Sequence, residues 1–66
     1  MSIDELDDEF SGLVHKLMEI EESKMREGFE RWAIQYNRIF EKYKDREKAY
    51  GLANNVLKKY VEYHFN

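Results

Sequence analysis

The chain has no cysteine, no proline and only three glycines among its 66 residues. Without cysteine, neither a disulfide nor a thiolate metal site can stabilise so small a protein. Without proline, and with abundant Leu, Glu, Lys, Met and Arg, the composition favours helix, and strand-like alternation of apolar and polar residues persists nowhere. The longest apolar run is Trp32-Ala33-Ile34, far short of the roughly 20 residues of a membrane-spanning helix. A bilayer-crossing segment is therefore not expected. The first residues, Ser2 to Glu9, are acidic where a secretory or organelle-targeting segment would be basic, so a cytoplasmic location is the default expectation.

Chemical motifs are also missing. No glycine-rich phosphate loop, nucleophile elbow or serine-lysine arrangement occurs. His15 and His64 stand 49 residues apart and belong to no metal-ligand spacing. Asp4, Asp7, Asp8 and Glu9 lack the spacing and glycine turn of a calcium loop, and neighbouring helix residues point in different directions. The expectation is a protein without enzymatic activity, cofactor or metal.

What is present is helical periodicity. From Met25 to Tyr60 the apolar residues Met25, Phe29, Trp32, Tyr36, Ile39, Tyr43, Tyr50, Ala53, Leu57 and Tyr60 keep a seven-residue beat, broken only at Arg46. Spacings that alternate three and four place all of them on one helix face, a stripe that has to be covered. An earlier stripe, Ile3, Leu6, Phe10, Leu13, Leu17 and Ile20, is widened by Val14 and Met18. Ser2 and Glu5 form a capping-box pattern at its start, and the acids that follow suit the positive end of a helix dipole. Between Ile20 and Met25 the beat slips by one residue, which puts a turn in the polar string Glu21 to Lys24. Gly28 is a competing stop signal, whereas the spacings Glu22 to Arg26 and Glu27 to Arg31 favour unbroken helix there.

Phase is kept across Lys44 to Lys48, and two separate helices would share it only by chance. This predicts an all-α single domain over residues 1–66: a shorter N-terminal helix packed on a long C-terminal helix, about 60 Å from residue 25 to 64. Such a helix outruns its cover, so the protein is expected to be a homo-oligomer, a dimer, with Phe29, Trp32, Tyr36, Ile39, Tyr43, Tyr50, Ala53, Leu57 and Tyr60 at the interface. The alternative is a compact three-helix bundle with a turn near Asp45 as helix cap, which needs no second copy.

The net charge of −3 hides a division: residues 1 to 30 hold ten acids against three bases, and residues 31 to 66 hold eight bases against four acids. Pairing between an acidic first helix and a basic later segment is one expected outcome. The functional expectation is a small helical protein-interaction module, of the regulator or inhibitor kind, that meets a protein partner through Asp4, Asp7, Asp8 and Glu9. The alternative is nucleic-acid binding by Arg31, Arg38, Lys42 and Arg46 among the aromatics of segment 31–50. Regular placement of those aromatics on the apolar stripe, and the negative total charge, both count against it.

Overall fold

A computed structural model describes residues 2–65, which form three helices: α1 (Ile3–Leu17), α2 (Glu22–Tyr43) and α3 (Arg46–Phe65). The all-helical expectation stands, and no strand occurs among the described residues. The molecule measures 33 × 21 × 16 Å.

Ser2 caps α1, with the Glu5 N–H donating to Ser2 Oγ at 3.3 Å, which is one of the two bonds of the expected capping box. Helix α1 closes with the Met18 N–H on the Val14 carbonyl, and tight bonds from Glu19 to Lys16 and from Ile20 to Leu17 carry the chain round. Glu21 is extended, and Lys24 and Met25 donate to its carbonyl as α2 begins. The slipped beat therefore marks a real break. Gly28 does not stop the helix; it is buried inside α2.

The long continuous helix is not what forms, and the three-helix alternative fits. Lys44 adopts a left-handed conformation, φ 53° and ψ 33°, with its N–H on the Phe40 carbonyl at 2.7 Å. Asp45 then caps α3, its Oδ1 accepting from the Lys48 N–H at 3.1 Å. A non-glycine residue in this conformation costs about 1–2 kcal/mol, which the hairpin tolerates because it covers both apolar faces at once. Shared phase was a poor guide to continuity. Each helix of a hairpin needs its own stripe at spacings of three and four, and a two-residue link can leave the two stripes in register.

Helix α3 is the element on which the others lie. Helix α2 runs antiparallel to it, joined by the Tyr60 hydroxyl donating to the Lys24 carbonyl at 2.9 Å and the Trp32 indole N–H donating to Asn54 at the other level. Helix α1 runs parallel to α3, with Leu6 beside Asn54 and Leu13 packed with Val61. The core is formed by Leu13, Leu17, Leu57, Tyr60 and Val61, supported by Phe10, Ile20, Met25, Phe29 and Trp32. Leu6, Ala49, Ala53 and Asn54 are buried beside it.

Two glycines have opposite roles. A Cβ at Gly28 would lie 3.0 Å from Leu17 Cδ1 and 3.1 Å from the Tyr60 ring, whereas one at Gly12 would meet nothing within 4 Å. Gly12→Ala is thus expected to raise stability by about 0.5–1 kcal/mol through helix propensity alone. Gly28→Ala receives the same gain but overpacks a core contact, for a net loss of about 1 kcal/mol. Urea denaturation of both variants checks the contrast, and equal midpoints would contradict the close approach of α2 to Leu17 and Tyr60.

Candidate interaction surfaces

The stripe residues assigned to an oligomer interface divide into three groups. Ala53, Leu57 and Tyr60 are buried within one chain. Phe29, Trp32, Tyr36, Ile39 and Tyr50 are half-buried, and Tyr43 is exposed. In this conformation the carboxy-terminal members have no surface left for a second copy. The rings of the middle group cover one another: Phe10 lies 5.0 Å from Trp32, Trp32 stacks on Tyr36 at 5.2 Å, Tyr36 stacks on Phe40 at 6.1 Å, and Tyr50 meets Trp32 edge-on at 5.7 Å. Offset and edge-to-face contacts of this kind each contribute roughly 0.5–1.5 kcal/mol beyond area burial.

Among the described residues no buried side-chain polar atom lacks a hydrogen-bond partner. Asn54 is fully buried, and its side chain bridges all three helices: Oδ1 accepts from Trp32 Nε1 at 2.9 Å, and Nδ2 donates to the Leu6 carbonyl at 3.1 Å. Tyr50 donates from its hydroxyl to Asp7 Oδ1 at 2.6 Å. Sequence reasoning missed both links. Asn54 follows Ala53, a member of the apolar stripe, and a polar residue at the edge of that stripe is the one signal that could have indicated a specific partner.

The acidic residues proposed for partner binding are not equally exposed. Asp4, Asp7 and Asp8 are exposed, whereas Glu9 is half-buried and lines the groove between α1 and α3. Asp7 is in addition tied to Tyr50. The anticipated pairing of this helix with the basic half is not found: among the described residues both ion pairs lie within α2, Glu22 with Arg26 at 2.8 Å and Glu27 with Arg31 at 2.9 Å. Those two are the pairs that the spacing implied.

The basic residues are also dispersed. Arg31 lies 5.3 Å from the Tyr60 ring near the carboxy-terminal end of α3, while Arg38, Lys42 and Arg46 are exposed towards the α2–α3 turn. Arg31 and Lys42 are about 16 Å apart along the axis of α2. At the turn, Tyr43 holds Lys48 Nζ at 3.7 Å and Lys42 Nζ at 5.2 Å, and Lys44 Nζ lies 6.0 Å from the Phe40 ring. Trp32, Tyr36 and Tyr50, which interleave with the bases in sequence, are turned into the aromatic cluster and present no free stacking platform.

A groove of about 540 Å³ opens between the first half of α2 and the last half of α3. Lys24, Arg31 and Lys59 border it, Tyr60 and Val56 line it, and Tyr63 and His64 stand at its carboxy-terminal end. His64 meets Tyr60 at 4.5 Å and Tyr63 at 5.2 Å, both edge-on. Burial, and then the Glu27 carboxylate, raise the Tyr60 pKa, with Arg31 opposing. No sequence signal could have found this groove, because its two walls are more than 20 residues apart in the chain and meet only through the hairpin. Among the described residues no three His, Asp or Glu side chains converge as metal ligands, and no helix is long and apolar enough to cross a membrane. No family model, curated protein or solved structure matches the chain, so its function has to be argued from this geometry.

The bond between Tyr50 and Asp7 has a pH signature. Burial first, then the hydrogen bond to Asp7 and its negative charge, push the Tyr50 pKa from 10.0 to about 12. The native phenol keeps its proton where the unfolded one has lost it, so this contribution is complete below pH 10 and disappears as the pH rises towards 12. Urea midpoints measured on both sides of pH 10 are expected to fall more steeply in the natural protein than in Tyr50→Phe. Identical slopes would show that the bond does not persist in solution.

Proposed function

We propose that this chain is a small non-enzymatic helical module that binds a protein partner through its charged surface. The observation that supports the reading is the uncompensated division of charge. Helix α1 exposes Asp4, Glu5, Asp7 and Asp8, and no ion pair among the described residues joins it to the basic second half. Like charges kept together and unpaired on a surface repel one another and weaken a compact state, while they steer association with an oppositely charged partner. A fold stabilised by aromatic packing and a satisfied interior can carry such a surface without depending on it.

Self-association through the aromatic stripe is not part of this proposal, because Ala53, Leu57 and Tyr60 are already enclosed by one chain. The dispersal of Arg31 from Arg38, Lys42 and Arg46 gives the nucleic-acid alternative less support than a continuous basic strip would.

The test uses Asp4→Asn with Asp8→Asn, leaving Asp7 to its bond with Tyr50. Removing these charges from the start of α1 is expected to lower stability by no more than about 1 kcal/mol. Affinity capture from the native cell should retain a discrete protein on the natural chain, release it as salt is raised, and lose it with the double variant. Capture that is indifferent to both salt and substitution would contradict the proposal.

A further inference from the structure

We propose that the groove between α2 and α3 is the docking site for an acidic, extended peptide segment of the partner, one that carries an apolar side chain between two carboxylates. This rests on the protein-binding reading and adds a second contact, in which the basic half of the chain receives an acidic segment of the same partner whose basic surface meets α1.

The bordering charges favour an anionic occupant. Lys24, Arg31 and Lys59 face Glu27 alone, and the Glu27 carboxylate is held by Arg31 at 2.9 Å. Lys24 and Lys59 are exposed and have no ion-pair partner among the described residues. The charges are spread along the groove. Lys24 and Arg31 stand seven positions apart on α2, about 10 Å along its axis, so a strand with two carboxylates reaches the free Lys24 with one and shares the Arg31 guanidinium with Glu27 through the other. In an extended segment alternate side chains share a face, so an acid, x, apolar, x, acid pattern spans about 13 Å, within reach of these long cationic side chains.

Between the charges lie apolar surfaces that an apolar side chain would cover. Tyr60, buried and fixed by its bond to the Lys24 carbonyl, closes the bottom of the recess, and the half-buried Val56 offers apolar surface beside it. Tyr63 is 79% exposed, its ring at right angles to that of His64. Arginine and tyrosine around a recess are the residues that most often carry binding energy at protein interfaces. The volume of about 540 Å³ falls within the range of about 300–1,000 Å³ that concave binding sites occupy.

Helix α1 does not supply this segment. Its acidic stretch Asp4 to Phe10 has the right composition, but Leu6 is buried in the core and Phe10 packs on Trp32, so its apolar side chains are already committed. The occupant proposed is a segment of the partner protein, matched to the groove by charge.

The probe is the capped pentapeptide Glu-Ser-Phe-Ser-Glu, titrated at low salt into the ¹⁵N-labelled full chain and followed by amide chemical shifts. Saturable shifts confined to Lys24, Arg31, Lys59, Tyr63, His64 and their neighbours are expected, half-saturating below about 1 mM. Lys24→Glu with Lys59→Glu should weaken binding at least tenfold. Tyr63→Ser, at an exposed position with no core contact, should weaken it severalfold while leaving the spectrum of the free protein otherwise unchanged. The inference is overturned if no saturable shift occurs. It is equally overturned if Lys-Ser-Phe-Ser-Lys or Glu-Ser-Ser-Ser-Glu binds as well, or if inorganic phosphate alone reproduces the shifts. Failure here, with partner capture still lost on neutralising α1, would remove the groove and leave the module; capture insensitive to either set of substitutions would remove both.

Discussion

The chain has to reverse at Lys44 and Asp45 for any of the rest to exist. A stripe of rings along α2 and a second stripe along α3 are each too apolar to face water, and the hairpin lets each cover the other. Neither residue at the reversal is a conventional breaker. Lys44 enters the left-handed region without glycine's freedom, and Asp45 offsets part of that cost by satisfying the Lys48 N–H at the start of α3. The local strain is held by packing at long range, chiefly Trp32 on Asn54 and Tyr60 on the Lys24 carbonyl, which form only once the two helices lie side by side.

Given the hairpin, α1 adds the third wall, and a buried amide sets where it sits. Asn54 links an indole of α2 to a carbonyl of α1 from its position on α3, so a shift of either helix along α3 would strand a buried polar group. Leaving such a group unsatisfied costs about 1–3 kcal/mol, a large share of the stability of a domain this small. Apolar packing alone would tolerate several registers. One satisfied amide favours a single register, and with it the walls of the α2–α3 groove.

Much of the architecture was legible from local pattern. The Ser2 cap, the apolar stripe of the first helix, the slip after Ile20 and the Glu22–Arg26 and Glu27–Arg31 pairs all act within a few helical turns, and each forms. Asp45 was readable as a cap but not decisive, because phase continuity across Lys44 argued the other way. What escaped local reading depends on chain segments far apart in sequence. The bonds from Tyr50 to Asp7 and from Asn54 to Leu6 span 43 and 48 positions, and Tyr60 reaches the Lys24 carbonyl across 36. The basic groove has the same origin: Lys24 and Lys59 belong to no common motif, and only antiparallel α2 and α3 bring them to one recess.

The hairpin can be tested directly, since the absence of native cysteine makes site-specific spin labelling clean. Labels at Ser23→Cys and Glu62→Cys, diluted with unlabelled protein to suppress distances between copies, would be measured by double electron–electron resonance. The folded chain predicts one population well inside the 33 Å longest dimension of the molecule. An uninterrupted helix would hold the same labels about 58 Å apart. A dominant population near that distance would contradict the reversal, and with it the enclosed stripe, the groove and the binding role argued from them.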